Sequence, residues 1–251
     1  ITLGMMTIGR GIALVMSEGS SVPVVDPLFP KLGGSYLSPV ASVVVITFCF
    51  GVYVFNMYND VRQKKKYGMY IHTDKITINL VSGVLALFFS LYVFGTYRGI
   101  PLPVLIFFVL AIAFHFILVD TRFGRRIYAM GGNEEAARLS GINSFRMTIS
   151  VYVVASVLAA LSGIILASRL NGASPNLGNM FELDAISAVI IGGTSFTGGV
   201  GGVMGTVIGV FIVGVMNNGM SLLGINMFYQ LVIKGLIITI AVWIDVMSKH
   251  S

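Results

Sequence analysis

The sequence predicts an all-α polytopic integral membrane protein with about seven or eight membrane-crossing segments. Of its 251 residues, 56% are hydrophobic and only 10% are charged, whereas soluble domains average about 45–50% apolar and about 25% charged residues. The apolar residues form several stretches close to the length of about 20 residues that an α-helix needs to cross a bilayer. The basic residues stand in short runs between these stretches, as is typical of the loops of membrane proteins.

The clearest predicted spans are continuous apolar stretches separated by polar, basic or glycine- and proline-rich segments. In chain order they are predicted at residues 1–16, 38–58, 76–97, 102–119, 147–168 and 228–244. The first is short and contains Arg10, as expected for the later part of a longer helix. Since the chain also begins at Ile1 without a methionine, we expect an N-terminal part of the protein to precede this sequence.

The distribution of lysine and arginine predicts which side of the membrane each loop faces. The segments 60–75 and 120–146 each contain five Lys or Arg residues and the C-terminal tail contains one, together eleven of the sixteen basic residues. Because short basic loops stay in the cytoplasm, we expect both loops and the C-terminus to be cytoplasmic. The opposite loops, which contain Lys31, Arg98 and Arg169, then face outward.

Residues 185–218 are predicted to enter the membrane and return. The positions of the basic segments require an even number of crossings between the second basic loop and the tail. Two continuous spans already make this number even, so residues 185–218 must add either no crossing or a pair. The sequence GGTSFTGGVGG at 192–202 interrupts the apolar run, which predicts a glycine-broken or re-entrant limb. Gly201, Gly205 and Gly209 recur at every fourth position, a spacing that favours close packing of helices in lipid.

The segment GGNEEAARLSG at 131–141 predicts a short, capped helix within the second basic loop. Asn133 is a preferred N-cap residue, and Glu134 and Glu135 follow in the first turn, where the helix dipole favours negative charge. Gly141 is suited to end the helix. Because a helix of about two turns is marginal in water by itself, it is expected to be either a connector lying on its own protein or a docking helix for a cytoplasmic partner.

The same segment, extended to GGNEEAARLSGIN, strongly resembles the coupling segment of ABC-transporter permeases for monosaccharides, the ribose, xylose and galactose branch. The resemblance is weakest over residues 17–75. YRGIPLPVL at 97–105 is most similar to xylose-type or multiple-sugar permeases. The other similar stretches are FGRRIYAMGGN at 123–133, SRLNGASPNLGNMFELDAISAVIIGGTSFTGGVG at 168–201, MNNGMSLLGINMFYQLVIKGLIITIAVWID at 216–245 and LGMMTIGRGIALV at 3–15.

The resemblance implies that residues 1–251 form a single transmembrane permease domain, truncated at its N-terminus, in the lipid of a bacterial inner membrane. Such permeases work as a homodimer with cytoplasmic ABC ATPase subunits and an extracytoplasmic sugar-binding protein. The chain itself is then no enzyme and binds no cofactor, since ATP and Mg²⁺ belong to the ATPase. By the same resemblance, the residues that couple to the ATPase are Gly131, Gly132, Asn133, Glu134, Glu135, Ala136, Ala137, Arg138 and Gly141.

A second candidate site is predicted where the apolar pattern breaks. Non-helical backbone at membrane depth is tolerated only where protein buries it or water lines it, and broken helices expose backbone dipoles to a solute. A tight crossing or an exposed loop would explain the glycines equally well, and a polar helix end the asparagines. The residues expected to line the translocation path are Gly192, Gly193, Thr194, Ser195, Thr197, Gly198, Gly199, Asn217 and Asn218.

Four charged residues in or near the apolar regions carry less specific predictions. Glu182 and Asp184 are expected near the outer face, where they either contact the binding protein or cap the following helix. Arg10 and Lys234 lie within apolar runs. There a charge is costly and often functional, although a long basic side chain can also extend to the membrane surface.

Other function classes fit the sequence less well. An ion-gradient-driven secondary transporter or channel, the alternative hypothesis, is expected to carry intramembrane carboxylates, and no acidic residue lies near the centre of a predicted span. No Gly-Lys-Ser/Thr sequence follows the glycine-rich segment, so it is not a phosphate-binding P-loop. The three histidines are scattered without the spacing of a metal site, and the basic residues do not suggest a nucleic-acid partner.

Overall fold

The computed structural model describes residues 2–66, 73–96 and 98–250, and most of them are helical. This confirms the predicted all-α class. The elements, in chain order, are α1 Thr2–Met16, β1 Val22–Pro23, α2 Pro30–Gly34, α3 Pro39–Lys66, α4 Thr73–Thr96, α5 Leu102–Asp120, α6 Arg122–Gly132, α7 Glu134–Leu139, α8 Ser144–Leu170, β2 Gly172–Ala173, α9 Phe181–Ile191, α10 Val203–Leu222 and α11 Met227–His250.

Within the described residues, five helices are long and apolar enough to cross a membrane. The chain is therefore polytopic, as predicted, but the number of seven or eight crossings is not confirmed. Shorter apolar segments occur in α1, at Gly4–Met16, and in α11, at Met227–Trp243. The five long segments are Pro39–Lys65, Ile76–Thr96, Leu102–Asp120, Ser144–Leu170 and Val203–Leu222.

Helical structure extends into both basic segments that the sequence analysis treated as loops. The segment 60–75 begins inside α3, which continues to Lys66, because arginine, glutamine and lysine are good helix formers. Residues 67–72 lie outside the described part of the chain. The segment 120–146 contains α6 as well as the predicted short helix α7. Hydropathy locates only the end of the apolar stretch, and α3 continues beyond that end to Lys66.

The chain divides into two compact units, one of which comprises residues 25–105 and 168–171. In this unit α3 packs against α4. Ser168, which is 1% exposed, accepts a hydrogen bond from the Gly33 N–H over 2.7 Å and donates one to the Phe29 carbonyl over 2.5 Å. A serine at the end of α8 thus fixes the short segment that precedes α3.

The second unit contains the remaining residues, 1–24, 106–167 and 172–251. In it, α9 packs against both α10 and α11. The α9–α10 contact is made by main chains. A Cβ atom at Gly209 would overlap the carbonyl oxygen of Ala188, and one at Gly205 would overlap that of Gly192. This confirms the close packing that the four-residue spacing of glycines predicted.

α9 and α10 occupy the region predicted to be a glycine-broken limb. α9 has only 11 residues, a length of about 16 Å, which is about half of a hydrocarbon core of about 30 Å. α10 has 20 residues and is long enough to cross it. The turn between them holds glycines with positive φ at 193, 198, 199 and 201. The broken limb is therefore confirmed, with α9 as its short arm.

Candidate functional site

The candidate site begins with α6, a basic helix that starts directly after α5. The Thr121 hydroxyl accepts a hydrogen bond from the Gly124 N–H over 3.3 Å and so satisfies one of the free N–H groups at the start of the helix. Arg122, Arg125 and Arg126 lie in its first half. A short helix with this basic character is typical of a membrane surface.

α6 ends and α7 begins at one residue, Asn133. Its backbone N–H donates to the Ala129 carbonyl over 3.1 Å and closes α6. Its side-chain Oδ1 accepts from the Ala136 N–H over 3.0 Å and caps α7. The predicted N-cap is therefore confirmed. No linker residue separates the two helices, so the chain changes direction at Asn133 itself.

α7 ends as the sequence predicts. Gly141 has a φ of +87°, and its N–H donates to the Arg138 carbonyl over 3.0 Å. The Ile142 N–H donates to the Ala137 carbonyl over 3.1 Å. Together these two bonds form a Schellman motif, which satisfies carbonyl groups that the end of a helix otherwise leaves free.

Most of the surface of α7 is exposed. Ala137 is the buried residue of this helix, at 4% exposure. Glu134 and Glu135 are exposed in its first turn. Leu139, in the last turn, is 82% exposed. Leu139 follows Glu135 by four positions, so the two exposed side chains lie on the same face of the helix.

The second element of the site is the glycine loop, Gly192–Gly201. Internal hydrogen bonds close this loop into a compact turn. The Ser195 N–H donates to the Val200 carbonyl over 2.9 Å, and the Gly198 N–H donates to the Ser195 carbonyl over 3.2 Å. The hydroxyl oxygens of Ser195 and Thr197 lie 3.0 Å apart and share a hydrogen bond. These two hydroxyls, which were predicted for the translocation path, therefore stabilise the loop in this structure.

The glycine loop lies against the end of α6. A Cβ atom on Gly131 would lie 2.5 Å from the Gly199 backbone nitrogen, and one on Gly199 would lie 2.8 Å from the Gly132 Cα atom. Main chains approach this closely only where side chains are absent. The Tyr128 hydroxyl also donates to the Gly201 carbonyl over 2.9 Å. Tyr128 was not predicted from the sequence, because no spacing rule relates it to a residue so far along the chain.

A cavity of about 670 Å³ opens beside this contact. Gly131 and Glu134 of the predicted coupling segment contribute to its wall, and so do Thr194, Ser195 and Gly198 of the glycine loop. Much of the remaining wall is apolar. Two sites that the sequence analysis treated separately, one for coupling and one for translocation, therefore meet at one place in the structure.

The other predicted translocation residues lie elsewhere. Asn217 and Asn218 are in the last turns of α10, roughly 20 Å along the helix from the glycine loop. Glu182 and Asp184 are in the first turn of α9. The N-cap position of α9 is Met180, with no side-chain hydrogen bond, so neither acidic residue is the N-cap. Both still carry negative charge where the helix dipole favours it.

Asp184 and Lys234 form a largely buried ion pair between α9 and α11. The Lys234 Nζ lies 2.7 Å from the Asp184 Oδ1, and the two side chains are 12% and 21% exposed, respectively. The contact is an ion pair by distance and not an aligned hydrogen bond, since Oδ1 has no hydrogen-bond partner within the described structure. The buried Oδ1 of Asn217 has none there either.

Arg10 also has a polar partner. Its Nη2 donates to the Asn179 Oδ1 over 2.8 Å, which joins α1 to the segment that precedes α9. Both basic residues that the sequence places in apolar runs are therefore engaged by polar groups. Across the described residues, no group of three or more His, Cys, Asp or Glu side chains could hold a metal ion.

Comparison with known proteins covers the whole chain. The family model described as "branched-chain amino acid transport system / permease component" matches residues 1–242. Over 257 residues the chain is 37% identical to the xylose transport system permease protein XylH of Escherichia coli strain K12, an alignment that covers 100% of this chain and 64% of that protein. It is 37% identical over 254 residues to XylH of Haemophilus influenzae, covering 100% of this chain and 67% of that protein.

A further similarity is restricted to part of the chain. Over 157 residues, 62% of this chain, it is 49% identical to the ribose import permease protein RbsC of Bacillus subtilis strain 168, covering 49% of that protein. No solved structure matches. These relatives confirm the resemblance to monosaccharide permeases of the xylose and ribose type. The chain spans about two thirds of the length of the xylose permease proteins.

Proposed function

The chain belongs to the family of branched-chain amino acid transport system permease components, and from this premise we propose that it is the transmembrane subunit of a binding-protein-dependent ABC importer for a monosaccharide. Xylose or a related pentose or hexose is the proposed substrate. The proposal is supported by the names of relatives that cover the whole chain, which specify xylose transport, and by the partial match to a ribose import permease.

The observation that carries the coupling role is the exposed, doubly capped helix α7. A helix of six residues persists by itself only with strong local support, and here Asn133 and the Schellman motif at Gly141 provide it. Its exposed surface, with Glu134, Glu135 and Leu139, is proposed to dock on a cytoplasmic ABC ATPase subunit. ATP and Mg²⁺ are bound by that subunit and not by this chain.

The remaining parts of the transporter follow from the same proposal. The Lys/Arg distribution supports an orientation of α7 and the C-terminus toward the cytoplasm of a bacterial cell. A second permease copy completes a homodimer in the inner membrane, and an extracytoplasmic sugar-binding protein delivers the sugar on the side of Glu182. Asn217, with its buried amide oxygen, and Asn218 are proposed to line the path in the outer half of α10.

Reconstitution tests the proposed function. The full-length permease, its ATPase and its sugar-binding protein would be placed in proteoliposomes, and uptake of labelled xylose, ribose, galactose and leucine measured. We expect ATP-dependent uptake of one of the sugars, and no uptake when either partner is omitted. Sugar uptake that an ion gradient drives without the ATPase would instead support a secondary transporter, and uptake of leucine alone would overturn the sugar assignment.

Replacing Glu135 with lysine tests the docking role of α7. The change puts a positive charge in the first turn, where the helix dipole disfavours it by about 0.3–1 kcal/mol, and reverses the charge offered to the ATPase. We expect the purified transporter to lose ATPase subunits, or to hydrolyse ATP without sugar uptake, while the permease still inserts into the membrane. Glu18→Lys, an exposed acidic residue between α1 and β1, is the control. A fully coupled Glu135→Lys transporter would remove α7 from the docking surface.

A further inference from the structure

We propose that the contact between Gly131 and the glycine loop transmits movement of the coupling helix α7 to the α9–α10 pair, with Gly131, Gly199 and Tyr128 as positioning residues. This inference rests on the proposed function, because it requires that α7 is displaced by an ATPase. It assigns to the glycine loop a role that differs from lining the sugar path.

The first connection joins α7 to α6. Asn133 closes α6 with its backbone N–H and caps α7 with its side chain, over 3.1 and 3.0 Å. Because one residue serves both helices, a tilt of α7 acts directly on the end of α6. The Schellman motif at the other end of α7 keeps this short helix intact as it moves.

The second connection joins α6 to the glycine loop. The Gly131 and Gly199 main chains are packed so closely that a methyl group on Gly131 would lie 2.5 Å from the Gly199 nitrogen. The Tyr128 hydroxyl holds the Gly201 carbonyl one turn earlier on α6, over 2.9 Å. A push from α6 therefore meets main-chain atoms directly, with no flexible side chain between them to absorb it.

The third connection lies within the glycine loop. The bond from the Ser195 N–H to the Val200 carbonyl, over 2.9 Å, closes the loop across its base. At its start, the Thr194 N–H donates to the Val189 carbonyl of α9 over 3.1 Å. The loop therefore moves as one piece and remains attached to the last turn of α9.

The fourth connection joins α9 to α10. The Gly192 carbonyl lies against Gly205, and the Ala188 carbonyl against Gly209, where a Cβ atom would overlap each of them. A displacement that reaches the end of α9 is therefore shared by α10. The cavity of about 670 Å³ beside the α6 contact gives this assembly space to move.

The proposal predicts a specific failure in the variant Gly131→Ala. An added methyl group forces α6 and the glycine loop apart, and changes along a coupling network alter the coupling free energy by about 0.5–2 kcal/mol, or about 2- to 30-fold. In proteoliposomes containing the complete transporter, we expect ATPase subunits to remain bound and ATP to be hydrolysed. Sugar taken up per ATP hydrolysed should fall by about 2- to 30-fold.

Gly202→Ala is the matched control. Gly202 follows the last residue of the glycine loop, and the variant makes the same glycine-to-alanine change there. No atom lies within 4 Å of the added carbon, and the φ of Gly202, −171°, suits any residue. Tyr128→Phe gives a second test without steric change, since it removes only the hydroxyl that holds the Gly201 carbonyl. It should keep a monodisperse, fully assembled transporter and still lower the uptake per ATP.

The outcomes separate the inference from the proposed function. If Gly131→Ala and Tyr128→Phe both retain the uptake per ATP of the unaltered transporter, the transmission route is wrong although the importer assignment stands. If the unaltered transporter shows no ATP-dependent sugar uptake, the proposed function itself fails. Loss of coupling in both variants, with Gly202→Ala unaffected, supports the route.

Discussion

Replacing Asp184 or Lys234 with alanine is expected to destabilise the protein by about 3–5 kcal/mol, because each change leaves one charge unpaired in a poorly solvated place. The two side chains are only 21% and 12% exposed and their charged atoms lie 2.7 Å apart. The pair also joins the short helix α9 to α11. We expect the loss to appear as a lower midpoint of denaturant-induced unfolding in detergent micelles.

A double replacement separates the cost of an unpaired charge from the net contribution of the pair. Exchanging both residues for apolar ones of similar size, as in Asp184→Leu with Lys234→Met, removes both charges together. Such exchanges of buried pairs are often neutral or stabilising, so the double variant should be clearly more stable than either single alanine variant. Glu182→Ala, an exposed acidic residue in the same turn of α9, should change stability by less than about 0.5 kcal/mol.

Two results would contradict this account of the pair. If both single alanine variants unfold at the denaturant concentration of the unaltered protein, the charges are solvated and the pair contributes little. If the double variant is as unstable as the single ones, packing around Asp184 and Lys234 matters more than charge. A transport assay on the double variant then reports separately on function, because a stable protein that no longer transports would show that the charges act in the transport cycle.

Gly209→Ala is expected to destabilise the protein, and this is the second large effect that we predict. An added Cβ atom would overlap the Ala188 carbonyl and force α10 away from α9. Steric changes of this kind in well-packed places cost about 1–3 kcal/mol. The atoms that an added Cβ would meet belong to the main chain of α9 and its C-cap, Gly192, so no side chain can move aside to relieve the overlap.

Gly214→Ala is the control for Gly209→Ala, since it makes the same change in the same helix. No atom lies within 4 Å of a Cβ atom at this position. Alanine is favoured over glycine in a helix by up to about 1 kcal/mol, so Gly214→Ala should be neutral or stabilising. Unfolding midpoints of both variants decide the matter, and a stabilising effect at both positions would show that α9 and α10 are not held in main-chain contact.

Local features of the site were predictable from the sequence because their determinants lie within a few residues. Asn133 begins α7 and Gly141 ends it, through hydrogen bonds that span only a few positions. The sequence therefore predicts both ends of the helix. The glycine break before α10 was predictable for the same reason, since glycines interrupt the apolar run where the chain must adopt positive φ.

Features that depend on distant parts of the chain were not predictable. Nothing near Gly131 indicates that its main chain meets Gly199, and no local pattern relates Tyr128 to Gly201. The partner of Lys234 was equally hidden, because Asp184 belongs to another helix. Composition established the membrane class, but the number of crossings depends on where each helix ends, as the extension of α3 to Lys66 illustrates.

The hydrogen bonds of Ser168 impose an order on biosynthesis. The Gly33 N–H finds its partner 135 residues later in the sequence, and ribosomes at about 5–20 residues per second need roughly 7 to 27 s to reach it. During that interval, the segment before α3 lacks its hydrogen bonds to Ser168. A ribosome-stalled chain that ends before residue 168 should therefore leave this segment open to proteases, whereas a chain long enough for residues 168–171 to have left the ribosome should protect it.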